Sequence, residues 1–326
     1  MKKNVSTYFR ILTIFLCALS VGIFHSCCLK KSETSSTSQA PLHRAHLIVT
    51  DDGKPAQLTY ELLAALNLKH DGTLQNIVEV TQKNLLRPVG KERWQSPESV
   101  YQENADKIIP ILKQLGLLQE VQAEQKDYRY GILLGATVTN VRKRLAFLIQ
   151  EWNRGVRVDE LVILAGQRIL DPDIESVAVL YDRKNGILPI KQSWQDSQEH
   201  PKTETEMMRM VLEQAELPEG LAKIPCTFID APMQKTADGL IRRPTTGDTV
   251  NAWLEKKPNP DSCLVVSCQP YVTYQDSVMR TLMPASFSLE TIGARVSEGE
   301  NLATLLDTVA RILYQEYQLV KVLEKK

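Results

Sequence analysis

Two different hydrophobic periods divide this chain. Between residues 58 and 118 apolar side chains recur every three or four positions, the spacing of amphipathic helices. Leu58, Leu62, Leu63 and Leu66 share a face and predict a helix over Leu58–Leu68. Leu74, Ile77, Val78 and Leu85 predict a second over Leu74–Leu86, with His70-Asp71-Gly72 as the turn between them. Ile108, Leu112 and Leu115 predict a third over Ser99–Leu118, which Pro110 should kink or divide and Gly116 should end. A short strand, Ala45–Val49, is expected ahead of them.

From Tyr130 short, continuous apolar runs alternate with helical stretches. Tyr130–Leu134, Leu161–Ala165, Ile224–Ile229 and Cys263–Ser267 read as buried strands, and Ser288–Ile292 as an edge strand. The helices Val141–Trp152, Met207–Ala215, Val250–Leu254, a segment starting at Thr273, and Asn301–Leu323 fall between and after them. Strand, helix, strand within about forty residues is a right-handed βαβ unit. The fold class is therefore α/β: a doubly wound, mainly parallel Rossmann-like sheet of about five strands, preceded by a helical region. Ile169–Lys202 is irregular and reads as an insertion, of a length common in lids. The Pro88–Pro97 loop carries Trp94, which could help cover a site or simply anchor packing.

The first residues change the picture of where the protein works. Lys2, Lys3 and Arg10 precede the apolar run Ile11–Phe24, and then comes Ser26-Cys27-Cys28. This is the order of an export signal. A small residue directly before a cysteine resembles a bacterial lipobox, which implies lipid attachment at Cys27, although Phe24 departs from the usual aliphatic residue. A cleaved soluble form and an uncleaved anchor are the alternatives. The organisation expected is signal peptide 1–26, polar tether 27–41, helical region or cap 42–125, and α/β domain 126–326. The location expected is the bacterial cell envelope, on the periplasmic side of a membrane reached through the lipid.

Charge and motifs then narrow the chemistry. Thirty-nine basic and thirty-nine acidic residues cancel, and loss of the leader would leave a slightly acidic body, so no nucleic-acid partner is expected. Cys226, Cys263 and Cys268 are an odd set for a disulfide framework, and Cys226 and Cys263 are expected to be buried thiols. No cysteine cluster has zinc spacing, and no metal is expected. The chain lacks G-x-G-x-x-G after the first strand, a P-loop, H-E-x-x-H and G-x-S-x-G. Of the histidines only His200 stands near a strand-end helix, and Cys268 as a nucleophile lacks an obvious base. No cofactor is named by the sequence.

In an open α/β sheet, ligands bind beyond the carboxyl ends of the strands. That rule gathers Ser267, Cys268, Gln269, Tyr271, Tyr274 and Gln275 after the fourth strand. Arg242 to Thr249 brings two arginines and several hydroxyls to a helix start that could hold an anion, or could be plain capping by Thr246 or Asp248. Thr203 with Glu206, and Thr273 with Asp276, have capping-box spacing. Glu204, Asp248 and Asp276 are the carboxylates available for acid–base work, each with a capping or surface role as the alternative.

A resemblance adds to this. Leu133-Leu134-Gly135, Leu164–Arg168, Thr203–Met208, Asp248–Leu254 and Leu264–Ser267 follow one another as in the YdcF/SanA-like family of bacterial envelope proteins, over roughly Tyr130–Ala294. The family's S-G-G is here Ala165-Gly166-Gln167, its T-E-A is Thr203-Glu204-Thr205, and its N-T-x-x-N is Asp248-Thr249-Val250-Asn251. Its histidine after the fourth strand is absent, and Gln269-Pro270-Tyr271 stands there. The resemblance implies a polar pocket at the strand ends and a role in envelope biogenesis, with no agreed reaction. Combined with the strand-end rule, it assigns Gly135, Thr137, Gly166, Gln167 and Arg168 to ligand binding, together with Thr249, Asn251, Ser267 and Gln269. Glu204 and Asp276 are the catalytic candidates. The ligand expected is a small polar or phosphorylated metabolite; the alternatives are a hydrolase or transferase on an envelope precursor, and a noncatalytic scaffold.

Overall fold

Five parallel strands make one sheet: β1 (Asp127–Leu134), β2 (Arg157–Gly166), β3 (Cys226–Ala231), β6 (Ser262–Cys268) and β7 (Ser288–Ala294). Their order is β3-β2-β1-β6-β7. The chain runs outward from β1 to β3, then returns to the other side of β1 and runs outward again. The direction reverses between β1 and β6, whose registers place Leu133 beside Val266 on one side and Ile163 of β2 on the other. A two-stranded antiparallel hairpin, β4 (Gln234–Lys235) and β5 (Ile241–Arg242), projects after β3. This is the doubly wound Rossmann-like α/β fold. The computed structural model describes residues 44–323, apart from 89–90, 92–94, 96–98 and 238. The signal, the tether, Cys27 and Trp94 lie outside the described residues.

Alternation along the strands sorts the helices into layers. Leu133, Ile163, Leu264 and Val266 face α4 (Val138–Asn153) and α6 (Glu204–Gln214), through Val141, Leu145, Met207 and Val211. Their neighbours Ile132, Leu134, Val162 and Val265 face α8 (Thr246–Leu254) and α9 (Val272–Leu282), through Val250, Trp253 and Met279. A separate core joins α1 (Gln57–Ala65), α2 (Leu74–Leu85) and α3 (Ala105–Gln114) to α10 (Leu302–Leu323), around Leu62, Ile77, Ile108 and Val309. The helical region is thus not self-contained: its apolar faces are closed by the last helix of the chain.

Several local expectations are corrected. Residues 45–49 form no strand; Arg44–Leu47 is a 3-10 helix, and the turn at Asp51-Asp52-Gly53 leaves only a single bridge between Val49 and Pro55. Pro110 does not divide α3, because its missing N–H frees one carbonyl near the helix start and the rest of the ladder continues. Cys226 opens the edge strand β3 and is exposed, whereas Cys263 in β6 is buried and its thiol is pushed up to about 12 by desolvation. The irregular insertion holds one short helix, α5 (Val177–Leu180); another, α7 (Glu219–Lys223), follows α6 and lies beyond it. Bridges from Ile169 to Thr203 and from Ile190 to Ala215 fasten the insertion at two points.

Candidate functional site

The switch between β1 and β6 opens into a cavity of about 720 Å³. That is the volume of a metabolite-sized site. Its floor is the end of β1 and the first turns of α4; its sides come from the starts of α6, α8 and α9; α10 and Arg87 complete it. Five arginines line it (Arg87, Arg144, Arg168, Arg243 and Arg311) against the carboxylates Glu204 and Glu300.

The arginines differ in what they already hold. Arg168 has every N–H committed: Nη1 and Nη2 clasp Glu175 at 2.7 and 2.9 Å, Nε faces Glu204 at 3.4 Å, and the carbonyls of Ile169 and Ala136 take the rest. Burial works against its charge, but Glu175 and Glu204 outweigh that and hold its pKa above the usual value. Glu175, which the sequence reading missed, also accepts the Val138 amide at 3.1 Å and so fixes the start of α4. Arg87 and Arg311 share the buried carboxylate of Asp307.

Arg144 is different. It is 3% exposed, and among the described residues it forms no ion pair. Nη1 donates to the carbonyls of Leu134 and Gly135 at 2.8 and 2.7 Å, which aims the guanidinium at the end of β1. Its Nε is buried without an acceptor. A buried cation without a bonded counter-ion carries a large desolvation cost. Beside it, Thr139 and Asn140 in the first turn of α4 also line the cavity, where helix amides face outward.

Glu204 is the first residue of α6, which Thr203 and Glu206 start with a full capping box. Its carboxylate packs directly over Gly135: a Cβ on that glycine would lie 2.7 Å from Glu204 Oε2. Burial raises the Glu204 pKa, and Arg168 and Arg144 only partly offset this. Oε1 faces Arg168, and among the described residues no hydrogen bond reaches Oε2. On the α9 side, Gln269 donates through Nε2 to the carbonyls of Gly116 and Gln119 at 2.7 and 2.8 Å, which leaves its Oε1 buried without a donor. The neighbouring Gln275 also keeps Oε1 buried without a donor.

Of the residues assigned from sequence, Gly135, Thr137, Arg168, Thr249, Gln269 and Glu204 come together around this cavity, as do Tyr271, Tyr274 and Gln275. The others have different places. Gly166 is required because Pro244 packs on it, with a Cβ position 2.4 Å from Pro244 Cγ. Gln167 turns to Asp230 at the end of β3, where Thr205 also donates at 2.6 Å. Asn251 is exposed on α8, and Ser267 is wholly enclosed in β6. Asp276 is not a helix cap, since α9 begins at Val272; it accepts from Thr291 at 2.9 Å and pairs with Arg280 at 2.7 Å, a bond between α9 and β7. Thr245, not Thr246, caps α8, in a box with Asp248, and Asp248 is clasped by Arg242. Arg243 alone of that arginine pair lines the cavity. His200 lies exposed against Tyr181, and Cys268 is buried in β6.

Among the described residues no group of three His, Cys, Asp or Glu is arranged to hold a metal ion, and no helix is long and apolar enough to cross a membrane. No family model, curated protein or solved structure matches the chain.

Proposed function

We propose that the protein binds a small phosphorylated metabolite in the switch-point cavity, as an envelope protein of the YdcF/SanA-like type carried at a membrane by a lipid on Cys27. The observation that supports the binding reading is Arg144. A guanidinium this deeply buried, aimed by two carbonyls and lacking a bonded carboxylate, is stabilised by an anion that arrives with the ligand. The first turn of α4 adds amides oriented toward the same charge. Titration of the purified chain with phosphorylated metabolites, read by calorimetry, tests it. Arg144→Gln is expected to weaken binding by about 1.5–3 kcal/mol, roughly ten- to a hundredfold. Equal affinity in the variant would remove the reading. Mass spectrometry of the chain taken from membranes tests the anchor: a diacyl or triacyl mass on a chain beginning at Cys27 is expected, and an intact leader overturns it.

Turnover of the ligand by a hydrolase or transferase is a second reading, and Glu204 favours it. A carboxyl with a raised pKa and one oxygen open to the cavity suits general acid–base work. Loss of phosphate release in Glu204→Gln, with ligand binding retained, is the expected sign. Binding without release in the unaltered protein would discard it.

A further inference from the structure

The cavity presents more than a cation. Three hydrogen-bond acceptors in its wall lack donors among the described residues: Gln269 Oε1, Gln275 Oε1 and Glu204 Oε2. The Gln269 amide is not free to rotate, because its Nε2 is held by two carbonyls, so its oxygen is a fixed acceptor. Gln275 Oε1 is likewise buried without a donor. Both glutamines are more than nine-tenths buried, Gln269 at 4% and Gln275 at 7% exposure. Buried polar groups left without partners are costly, and a ligand that satisfies them gains accordingly.

A bare anion serves these groups poorly as the complete ligand. Phosphate oxygens accept hydrogen bonds and suit Arg144, but they repel Glu204 and leave Gln269 Oε1 unmet. Hydroxyls both donate and accept, and they match all three groups. Resting on the reading of the cavity as an anion site, we infer that its ligand is a phosphorylated sugar or polyol. The phosphate sits at Arg144 and the start of α4, and the hydroxyls lie against Glu204, Gln269 and Gln275. The volume of about 720 Å³ accommodates such a molecule where a single phosphate would leave most of it empty.

The test compares three probes on the full chain by calorimetry: inorganic phosphate, a hexose 6-phosphate, and phosphonoacetate, which carries charge at both ends and no hydroxyl. The hexose phosphate is expected to bind at least about tenfold tighter than either of the others, the sum of a few neutral hydrogen bonds. Gln275→Met, close in shape, is expected to cut that advantage to about threefold or less. Equal binding of hexose phosphate and inorganic phosphate overturns the inference and leaves the anion site standing. Tighter binding of phosphonoacetate overturns it in favour of a hydroxyl-free dianion. Failure of all three probes to bind, with Arg144→Gln making no difference, overturns the anion site itself. The comparison among probes on the unaltered chain stands whether or not a variant folds.

Discussion

Gly135 and Glu204 form a matched pair 69 positions apart in the sequence order of β1 and α6. The carboxylate occupies the space a side chain at 135 would need, with the Leu164 carbonyl 3.0 Å from the same point. Gly135→Ala is therefore expected to cost about 1–3 kcal/mol by overpacking and to push Glu204 off its seat. In a Glu204→Ala background the same change should cost less, because only the carbonyl contact remains; purely additive losses in thermal melts would contradict this. Glu204 has its own signature. Its folded pKa is raised above 4.5 by burial, with Arg168 and Arg144 facing it and Glu175 behind them. Its contribution to stability is thus fully present below 4.5 and lost as pH rises through the folded value. Glu204→Gln should gain on the unaltered chain as pH rises from about 4 to 8 in denaturant titrations. A constant difference across that range would refute the assignment. Both residues were legible in the sequence, the glycine as a strand end and the glutamate as a helix start. Arg144 was not. It sits in Arg142-Lys143-Arg144, which reads as a solvated basic face, yet Arg142 and Arg144 are 2% and 3% exposed. Carbonyls supplied by α5 and by the end of β1 hold them, and no local pattern announces those partners.

At the scale of elements, the site depends on how α8 begins. Thr245 and Asp248 cap each other's backbone, and Arg242 clasps the same carboxylate at 2.7 and 3.0 Å. Thr245 and Arg243 line the cavity from this segment, so the cap fixes one of its walls. Hydrogen bonds from Arg242 and Thr245 hold the Asp248 pKa down at about 2. The stability it contributes is present above its ordinary 3.8 and lost as pH falls through about 2. Asp248→Asn is expected to cost about 1 kcal/mol at neutral pH, and the gap should close on acidification. A gap that persists at pH about 2 would mean the loss is steric and not ionic. The capping pattern itself was readable, though the helix begins at Thr246, four residues ahead of the expected Val250. The equivalent pattern at Thr273 and Asp276 misled, because Tyr271 already turns the chain and Asp276 is drawn inward to Thr291 on β7. The existence of the five sheet strands followed directly from the apolar runs, whereas strand ends did not, and the run at 45–49 formed no strand. Register with β2 carries β3 on to Ala231, two residues past the last residue of its apolar run.

At the scale of the molecule, the doubly wound order was implied by the alternation of strands and helices, and the switch point followed from it. What the sequence did not disclose is that the N-terminal helices close on α10, at the other end of the described chain. The Asp307 carboxylate shows how that seam reaches the cavity. It is 1% exposed and accepts the Arg87 amide at 3.1 Å, Arg87 Nη1 at 3.3 Å, and Arg311 Nε at 2.7 Å. Gln82 adds a bond to the Ala310 carbonyl at 2.7 Å. One carboxylate therefore holds two cavity arginines, one from the helical region and one from α10. Asp307→Asn removes the counter-ion that the two guanidiniums share. Because the arginines keep 15% and 27% side-chain exposure, the expected loss is about 2–3 kcal/mol, below that of a fully enclosed pair. The loss should be local in character. Hydrogen exchange in α2 is expected to quicken while α4, on the far layer of the sheet, keeps its protection. Equal quickening in both would show Asp307 serving only global stability. Quickening confined to α2, together with a greater stabilisation by bound phosphate than the unaltered chain shows, would identify the seam as part of the cavity's electrostatics, since the incoming anion would then replace the charge that Asp307 supplied.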